Sequence, residues 1–155
     1  MKIKNTNDLI KESDIQEFEK TINTALPLEY KKFLLEFNGG QPALYIFPEN
    51  EVLHSIPVNI LYGLKAKESY NDLEKNYAIY DGRIMNSFIS IGSDPGGNQF
   101  CLGVAGVFKD KVYIWDHNQE IDEWEFVENK LPENMYLLAD SFNNFINQLE
   151  EDTEA

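Results

Sequence analysis

The clearest pattern in the chain is a helical repeat of apolar residues that begins after Pro27. Large side chains follow at i, i+3, i+4 and i+7, on one face of a helix: Tyr30, Phe33, Leu34 and Phe37. Pro27 suits the first helical position because an N–H there would lack a partner, and Gly39-Gly40 permits the left-handed turn that ends a helix. We therefore expect these four side chains to be largely buried.

Three further segments have weaker helical patterns. Ser13 and Gln16, three positions apart, are typical of a capping box, and they predict a first helix over residues 14–24. Residues 68–80 form a loosely patterned helical segment. A last helix is expected to begin at about residue 141, and it precedes residues 150–155, which are predicted to form a frayed acidic tail.

Between these helices the pattern changes to short runs rich in β-branched and aromatic residues, separated by turn residues. The runs predicted as strands are residues 43–47, 58–61, 88–91, 99–104, 112–117 and 122–127. Strands and helices do not alternate regularly, so parallel pairing is disfavoured. The sequence therefore predicts a single α+β domain, residues 1–155, in which a twisted, mainly antiparallel sheet is flanked by helices from both ends of the chain.

Charge narrows the choice of partners. The 155 residues include 27 Asp and Glu against 13 Lys and Arg, for a net charge of −14. Such a surface repels nucleic acids and anionic membranes and attracts basic proteins, although excess acid can also serve solubility alone. We expect a basic protein partner, with no nucleic acid and no membrane.

The sequence also predicts a cytoplasmic address. The first eight residues lack the apolar stretch of a signal peptide, and no apolar run approaches the roughly 20 residues that cross a bilayer. Cys101 is the single cysteine, which suits a reducing compartment.

Motifs for catalysis and cofactors are weak. Residues 92–98, Gly-Ser-Asp-Pro-Gly-Gly-Asn, lack a P-loop lysine and do not match the dinucleotide fingerprint, so we interpret them as a hairpin loop. His54 and His117 lie outside any metal-binding motif, and no metal or cofactor is predicted. Cys101 and His117 could lie diagonally across a hairpin, about 7–8 Å apart, as a thiol–imidazole pair. No third residue is identified to orient that pair, so no catalytic function is predicted.

The hairpin formed by residues 99–104 and 112–117 has two different faces. In a regular pairing Gln99 lies opposite His117, and the face with Phe100 and Ile114 is aliphatic and belongs to the core. The other face is aromatic and polar, and it either packs under a second layer or presents a protein-binding surface. Candidate binding residues here are Tyr113, Trp115 and His117, with Asp94 from the glycine-rich loop.

A dense acidic tract follows the hairpin. It could be the solvated edge of the sheet, or it could form an acidic patch for a basic partner. Its carboxylates are those of Glu120, Asp122, Glu123, Glu125 and Glu128. The first four complete the candidate binding residues.

Three segments in succession resemble the SUKH superfamily, specifically its Smi/Knr-like branch of cell-wall regulators. Residues 26–40, Leu-Pro-Leu-Glu-Tyr-Lys-Lys-Phe-Leu-Leu-Glu-Phe-Asn-Gly-Gly, are similar to the opening helix of that family. Residues 91–101, Ile-Gly-Ser-Asp-Pro-Gly-Gly-Asn-Gln-Phe-Cys, are similar to its glycine loop and the strand that follows. Residues 112–117, Val-Tyr-Ile-Trp-Asp-His, form the third segment, and Leu-Ala-Asp-Ser-Phe at 138–142 opens the last helix.

The resemblance implies an α+β fold without an established catalytic triad. Many bacterial members look like immunity proteins that neutralise secreted toxins, often nucleases, whereas eukaryotic relatives act as regulatory interaction modules. A nuclease must be basic to hold its substrate, which matches an acidic inhibitor. The leading hypothesis is therefore a non-catalytic immunity protein that binds a basic toxin encoded nearby. The alternatives are a regulatory or small-ligand-binding domain and, more distantly, a Cys101/His117 hydrolase.

Overall fold

The computed structural model describes residues 1–5 and 7–153. Within them the helices are α1 (Glu12–Ile22), α2 (Leu28–Glu36), α3 (Leu73–Tyr80) and α4 (Phe142–Asn147). The strands are β1 (Ile3–Lys4), β2 (Gln41–Pro42), β3 (Ile46–Phe47), β4 (Ile56–Pro57), β5 (Ile60–Leu61), β6 (Phe88–Ser93), β7 (Gln99–Gly103), β8 (Val112–Trp115) and β9 (Met135–Ala139). The largest sheet is antiparallel, in the order β5-β6-β7-β8-β9. The predicted α+β class is confirmed.

Helices from both ends of the chain cover one side of this sheet. The rings of Phe33 in α2 and Phe142 in α4 have centroids 5.0 Å apart, and Phe145 in α4 lies 5.4 Å from Phe100 in β7. Tyr30, Phe33 and Leu34 are buried, and Phe37 is partly buried against the same core. This confirms the apolar face predicted for α2.

The first helix begins earlier than predicted. Its N-cap is Lys11, whose backbone N–H donates to Asp14 Oδ2 at 2.9 Å. Asp14 therefore takes the position that the sequence assigned to Gln16, because an aspartate in the first turn satisfies the free backbone donor and also opposes the helix dipole. The Asp14 carboxylate is 2.6 Å from Lys65 Nζ, and that hydrogen bond lowers its pKa.

Asn38 follows the end of α2, and its side chain connects this region by hydrogen bonds to Asp8 and Leu64. Its φ of 50° and the φ of 86° at Gly39 make the predicted left-handed stop. The fully buried side chain donates from Nδ2 to the carbonyls of Asp8 and Leu64, at 2.9 and 2.8 Å, and accepts from the Leu64 N–H at 2.8 Å. Because all three bonds are satisfied inside the protein, this polar residue stabilises the junction rather than weakening it.

The central hairpin keeps its predicted faces but not its predicted register. Trp115, not His117, lies opposite Gln99, and Tyr113 lies opposite Cys101. The loop between β7 and β8 is longer than expected, since it holds a 3₁₀ turn at Gly106–Phe108. Gly103 makes this loop possible because a Cβ at that position would collide with the Phe108 carbonyl.

Each face of the hairpin packs against its own layer. The aliphatic face lies in the core formed with α1, α2 and α4. The aromatic face enters a second buried cluster: Ile84, Met85, Phe88, Cys101, Phe108, Tyr113, Trp115 and Met135. Tyr80, Phe126 and Leu131 pack on the outside of this cluster. The alternative of a second packed layer is therefore the observed arrangement.

Two predictions about the second half of the chain are wrong. Residues 122–127 do not form a strand, because they carry a 3₁₀ turn at Glu123–Glu125 that is held by local hydrogen bonds. The strand next to β8, at one edge of the sheet, is β9, which the sequence pattern did not predict. Strand β8 also ends at Trp115, and His117 starts a 3₁₀ turn.

The acidic tail is attached at its start rather than frayed from residue 150. Glu150 and Ile46 exchange backbone hydrogen bonds of 2.7 and 3.0 Å, and the Tyr45 hydroxyl donates to Asp152 at 2.9 Å. Residues 154 and 155 lie outside the described part of the chain. Among the described residues, no helix is both long and apolar enough to cross a membrane.

Candidate functional site

The structure places two of the candidate binding residues in the interior. Trp115 is 1% exposed and Tyr113 is 4% exposed, both within the second buried cluster. The Tyr80 ring meets Trp115 edge-on at 5.5 Å, and Phe88 meets Tyr113 in the same way at 5.1 Å. Their expected role as a binding surface is corrected: both side chains are structural in this protein.

Cys101 and His117 are not brought together. Cys101 is fully buried beside Tyr113, whereas His117 lies two residues beyond the end of β8. Burial raises the pKa of the Cys101 thiol far above its usual value, which keeps it protonated and poorly nucleophilic. This geometry does not support the thiol–imidazole alternative.

Asp94 organises the glycine-rich loop next to His117. Its Oδ1 accepts backbone N–H bonds of 2.9 Å from both Gly96 and Asn98. The Asn98 side-chain oxygen in turn accepts the backbone N–H of His117 at 3.1 Å. Asp94 and His117 are therefore linked through Asn98. The two backbone bonds to Asp94 agree with the interpretation of residues 92–98 as a hairpin loop, because aspartate side chains commonly accept such bonds in turns.

The remaining candidates lie on one long connection between β8 and β9. We call residues 116–134 the acidic loop, because it carries seven carboxylates and a single lysine. The carboxylates are those of Asp116, Glu120, Asp122, Glu123, Glu125, Glu128 and Glu133. Most of the loop is exposed, so its charge faces solvent.

One of these carboxylates is already paired. Glu120 accepts two hydrogen bonds from the Arg83 guanidinium, from Nε at 2.8 Å and from Nη2 at 3.1 Å. The guanidinium also lies 4.9 Å from the centre of the Tyr80 ring and 5.7 Å from that of Trp115. Glu120 thus anchors the acidic loop to the turn after α3, and the Arg83 hydrogen bonds lower the Glu120 pKa.

The Glu120–Arg83 pair should stabilise the protein in a pH-dependent way. Because the folded pKa of Glu120 lies below its ordinary value of 4.5, the contribution is present above that value and is lost as pH falls through the folded pKa. Both side chains are partly exposed, so Glu120→Gln should lower the free energy of unfolding at pH 7 by no more than about 1 kcal/mol. Urea unfolding at pH 7 and pH 3 measures this difference.

Glu128→Gln is the matched control, since Glu128 is exposed on the same loop. It should change stability little at either pH. A loss from Glu120→Gln that is equal at pH 7 and pH 3 would contradict the assignment to the ion pair.

Trp124 is a functional candidate that the sequence analysis missed. It is 81% exposed, between Glu123 and Glu125 in the 3₁₀ turn, although most large aromatic residues of this chain are buried. No local signal marks this exposure, because the alternation of Glu123, Trp124 and Glu125 is equally typical of a strand with one buried face.

Two hollows adjoin the turn that carries Trp124. The larger, about 550 Å³, lies between the turn after α3 and the acidic loop. Its carboxylates are those of Asp81, Glu123 and Glu128, and its apolar lining includes Ile84, Met85 and Phe126. The smaller, about 250 Å³, is lined by Ile121, Val127 and Leu131, among others. Phe126 lines both hollows.

This arrangement is suited to binding a positively charged side chain. An exposed indole beside carboxylates can pack on the aliphatic part of a lysine or arginine while a carboxylate holds its charged end. Within residues 1–5 and 7–153, no group of three or more His, Cys, Asp or Glu side chains is placed to hold a metal ion. Fold and site together define a small acidic α+β domain with an aromatic, acidic surface loop.

Comparison with known proteins gives this domain a family. The SMI1 / KNR4 family (SUKH-1) matches residues 9–148, and the chain belongs to it. The family includes toxin-immunity proteins and is generally non-catalytic. The chain is also similar to the SPbeta prophage-derived uncharacterized protein YokK of Bacillus subtilis (strain 168). That similarity is 25% identity over 162 residues, covering 92% of this chain and 73% of the relative.

Proposed function

We propose that this protein is an immunity protein that neutralises a basic toxin encoded close to its own gene. The observation that carries the proposal is the exposed Trp124 within the acidic loop. Tryptophan is one of the residue types enriched at the energetic centre of protein interfaces. Here it lies between two hollows and beside carboxylates that form no ion pair within the described residues. A partner rich in lysine and arginine would match this surface in both shape and charge.

Family membership and net charge support the same conclusion. The family includes immunity proteins, and a charge of −14 favours encounter with a basic protein over a long range at low salt. A toxin that acts on nucleic acid needs a basic surface to hold the phosphates. The acidic loop would cover that surface.

The roles of the individual residues follow from their positions. Trp124 would act as the anchor, with Asp122, Glu123 and Glu125 guiding the approach of the partner. Glu120 would hold the loop in place through Arg83, and Asp94 would position the neighbouring loop and His117 at the edge of the interface. Tyr113 and Trp115 would support this surface from beneath.

The proposal is tested with the product of the gene next to this one. The protein should bind that product and rescue cells that express it. Trp124→Ala should raise the dissociation rate about 30-fold, the equivalent of a 2 kcal/mol anchor residue, and should weaken rescue. Kinetic binding measurements at fixed salt give the rate.

Val52→Ala is the control, because Val52 is 76% exposed and lies outside the acidic loop. It should leave both the dissociation rate and the rescue unchanged. No binding to any neighbouring gene product, together with no rescue, would remove the immunity proposal and favour a regulatory interaction domain.

A further inference from the structure

A second concave region lies away from the acidic loop. This cleft, of about 560 Å³, is formed where the start of the chain, the residues around β2 and β5, and the region before α3 come together. No residue of the acidic loop lines it. The two segments that the sequence analysis singled out for their glycines both reach it, through Gly40 and Gly97.

The lining of this cleft differs from the rest of the molecule. Among the described residues, it contains seven side-chain amides and three tyrosines, and its only charged side chain is that of Lys4. The absence of carboxylates from this lining is unusual in a chain in which 27 of 155 residues are acidic. A cationic ligand would find no counter-charge here, and an anionic ligand would be repelled by the whole protein.

Several of these amides have donor or acceptor atoms that make no hydrogen bond within the described residues. Asn76 is 5% exposed, and its Nδ2 donates to the carbonyls of Tyr70 and Asp72, at 3.0 and 2.9 Å. Within the described residues its Oδ1 accepts no bond. The side-chain amides of Asn59 and Asn71 likewise make no hydrogen bond in the described part of the chain. A polar ligand would satisfy these groups in place of water.

The floor of the cleft is held rigidly. Gln99 Oε1 accepts hydrogen bonds of 2.6 Å from both the Tyr62 and Ser90 hydroxyls, and Gln99 Nε2 donates to the Gly97 carbonyl at 2.9 Å. Burial raises the pKa of Tyr62 to about 12, so its hydroxyl keeps its proton at neutral pH. Within the described residues Gln99 Nε2 makes this one hydrogen bond, so its second amide hydrogen is left for a ligand.

We propose that this cleft binds a neutral, polyhydroxylated small molecule of the sugar class. Within the described residues, the groups left for a ligand include the whole side-chain amides of Asn59 and Asn71, the Asn76 oxygen and one Gln99 hydrogen. The lining therefore offers both donors and acceptors, which a ring of hydroxyl groups requires. The Tyr70 ring, 68% exposed at the cleft, provides a flat amphipathic surface against which a sugar face can stack. The volume is within the range of small-ligand sites, about 300–1,000 Å³.

The test is a titration followed by NMR of the isotopically labelled protein. The probes are glucose, N-acetylglucosamine, maltose and cellobiose, with glucuronate and lysine as charged comparators. At least one neutral sugar should cause saturable shifts of the Asn76 and Gln99 side-chain amide signals. Tyr70→Ala should weaken that binding about tenfold, as expected for loss of one stacking ring.

Two further variants replace exposed residues, so neither substitution is expected to affect folding. Asn59→Leu removes an amide from the cleft and should also weaken binding, whereas Trp124→Ala, on the acidic loop, should leave it unchanged. The proposal is overturned if no neutral sugar shifts the cleft amides, if Tyr70→Ala and Asn59→Leu bind as well as the parent, or if a charged comparator binds more tightly. Toxin binding is measured separately, so either proposal can fail alone.

Discussion

Replacing Trp115 with alanine is expected to lower the free energy of unfolding by about 3–5 kcal/mol, because a fully buried indole is lost and a cavity remains. The side chain is 1% exposed, packs against Tyr80, and forms part of the surface on which the Arg83 guanidinium lies. Equilibrium urea unfolding measures the loss. The variant should also disturb the acidic loop, since Arg83 holds Glu120.

Trp124→Ala is the matched control, as the same substitution on the surface. It should change the free energy of unfolding by no more than about 0.5 kcal/mol. The two substitutions thus distinguish a structural role from a binding role. Trp115→Ala should lower stability, whereas Trp124→Ala should lower only the affinity for the partner. Equal stability of the two variants would contradict the assignment of Trp115 to the core.

Reversing the charge of Asp122, Glu123 and Glu125 to lysine is expected to slow association with the basic partner by about 10- to 100-fold at low salt. Each reversal changes the charge by two units, so the net charge moves from −14 to about −8. The difference from the parent should shrink as salt rises, because the Debye length falls from about 10 Å at 0.1 M to 3 Å at 1 M. Stopped-flow association at several salt concentrations measures this effect.

A second triple variant separates local steering from total charge. Glu36, Glu49 and Glu51 are exposed residues outside the acidic loop, and their change to lysine alters the net charge by the same amount. That variant should slow association much less. Equal slowing by both variants would show that only the net charge matters, and the acidic loop would then lose its proposed role.

The sequence predicted elements best where an apolar period was long and its ends were marked. The face of α2 carried four large side chains at helical spacing and a glycine stop, and tertiary packing preserved it. The hairpin faces were also predicted correctly although the register was wrong. The register differs by two residues, which leaves every side chain on the same side of the sheet.

The errors arose where local pattern and tertiary contacts disagreed. Trp124 and Phe126 alternate with Glu125 as they would in a strand, but hydrogen bonds within residues 122–126 form a 3₁₀ turn instead. Strand β9 was missed because Leu138 and Ala139 were assigned to the opening of the last helix. Its pairing with β8 depends on contacts that span the acidic loop, and no local pattern contains them.

In the candidate site, too, some features could be predicted from the local sequence and others depend on tertiary contacts. The acidic tract and its position after the hairpin could be predicted, because the number and positions of charged residues are known from the sequence alone. The burial of Trp115 and the exposure of Trp124 could not, because each depends on which layer covers the aromatic face of the sheet. Arg83, which fixes Glu120, comes from a turn 37 residues away along the chain.

The hydrogen bonds of Asn38 also affect its deamidation, since Gly39 follows it in the sequence. In an asparagine–glycine sequence, the glycine nitrogen attacks the side-chain carbonyl, ammonia leaves, and the succinimide formed hydrolyses to aspartate or isoaspartate. The bonds to Asp8 and Leu64 hold the Asn38 amide away from that reaction, so deamidation requires local opening of this junction. A carboxylate at this position would face two carbonyl oxygens and lose both donor bonds, so a molecule that reacts while open cannot fully close again. We therefore expect the rate of Asn38 deamidation to follow local opening at the end of α2.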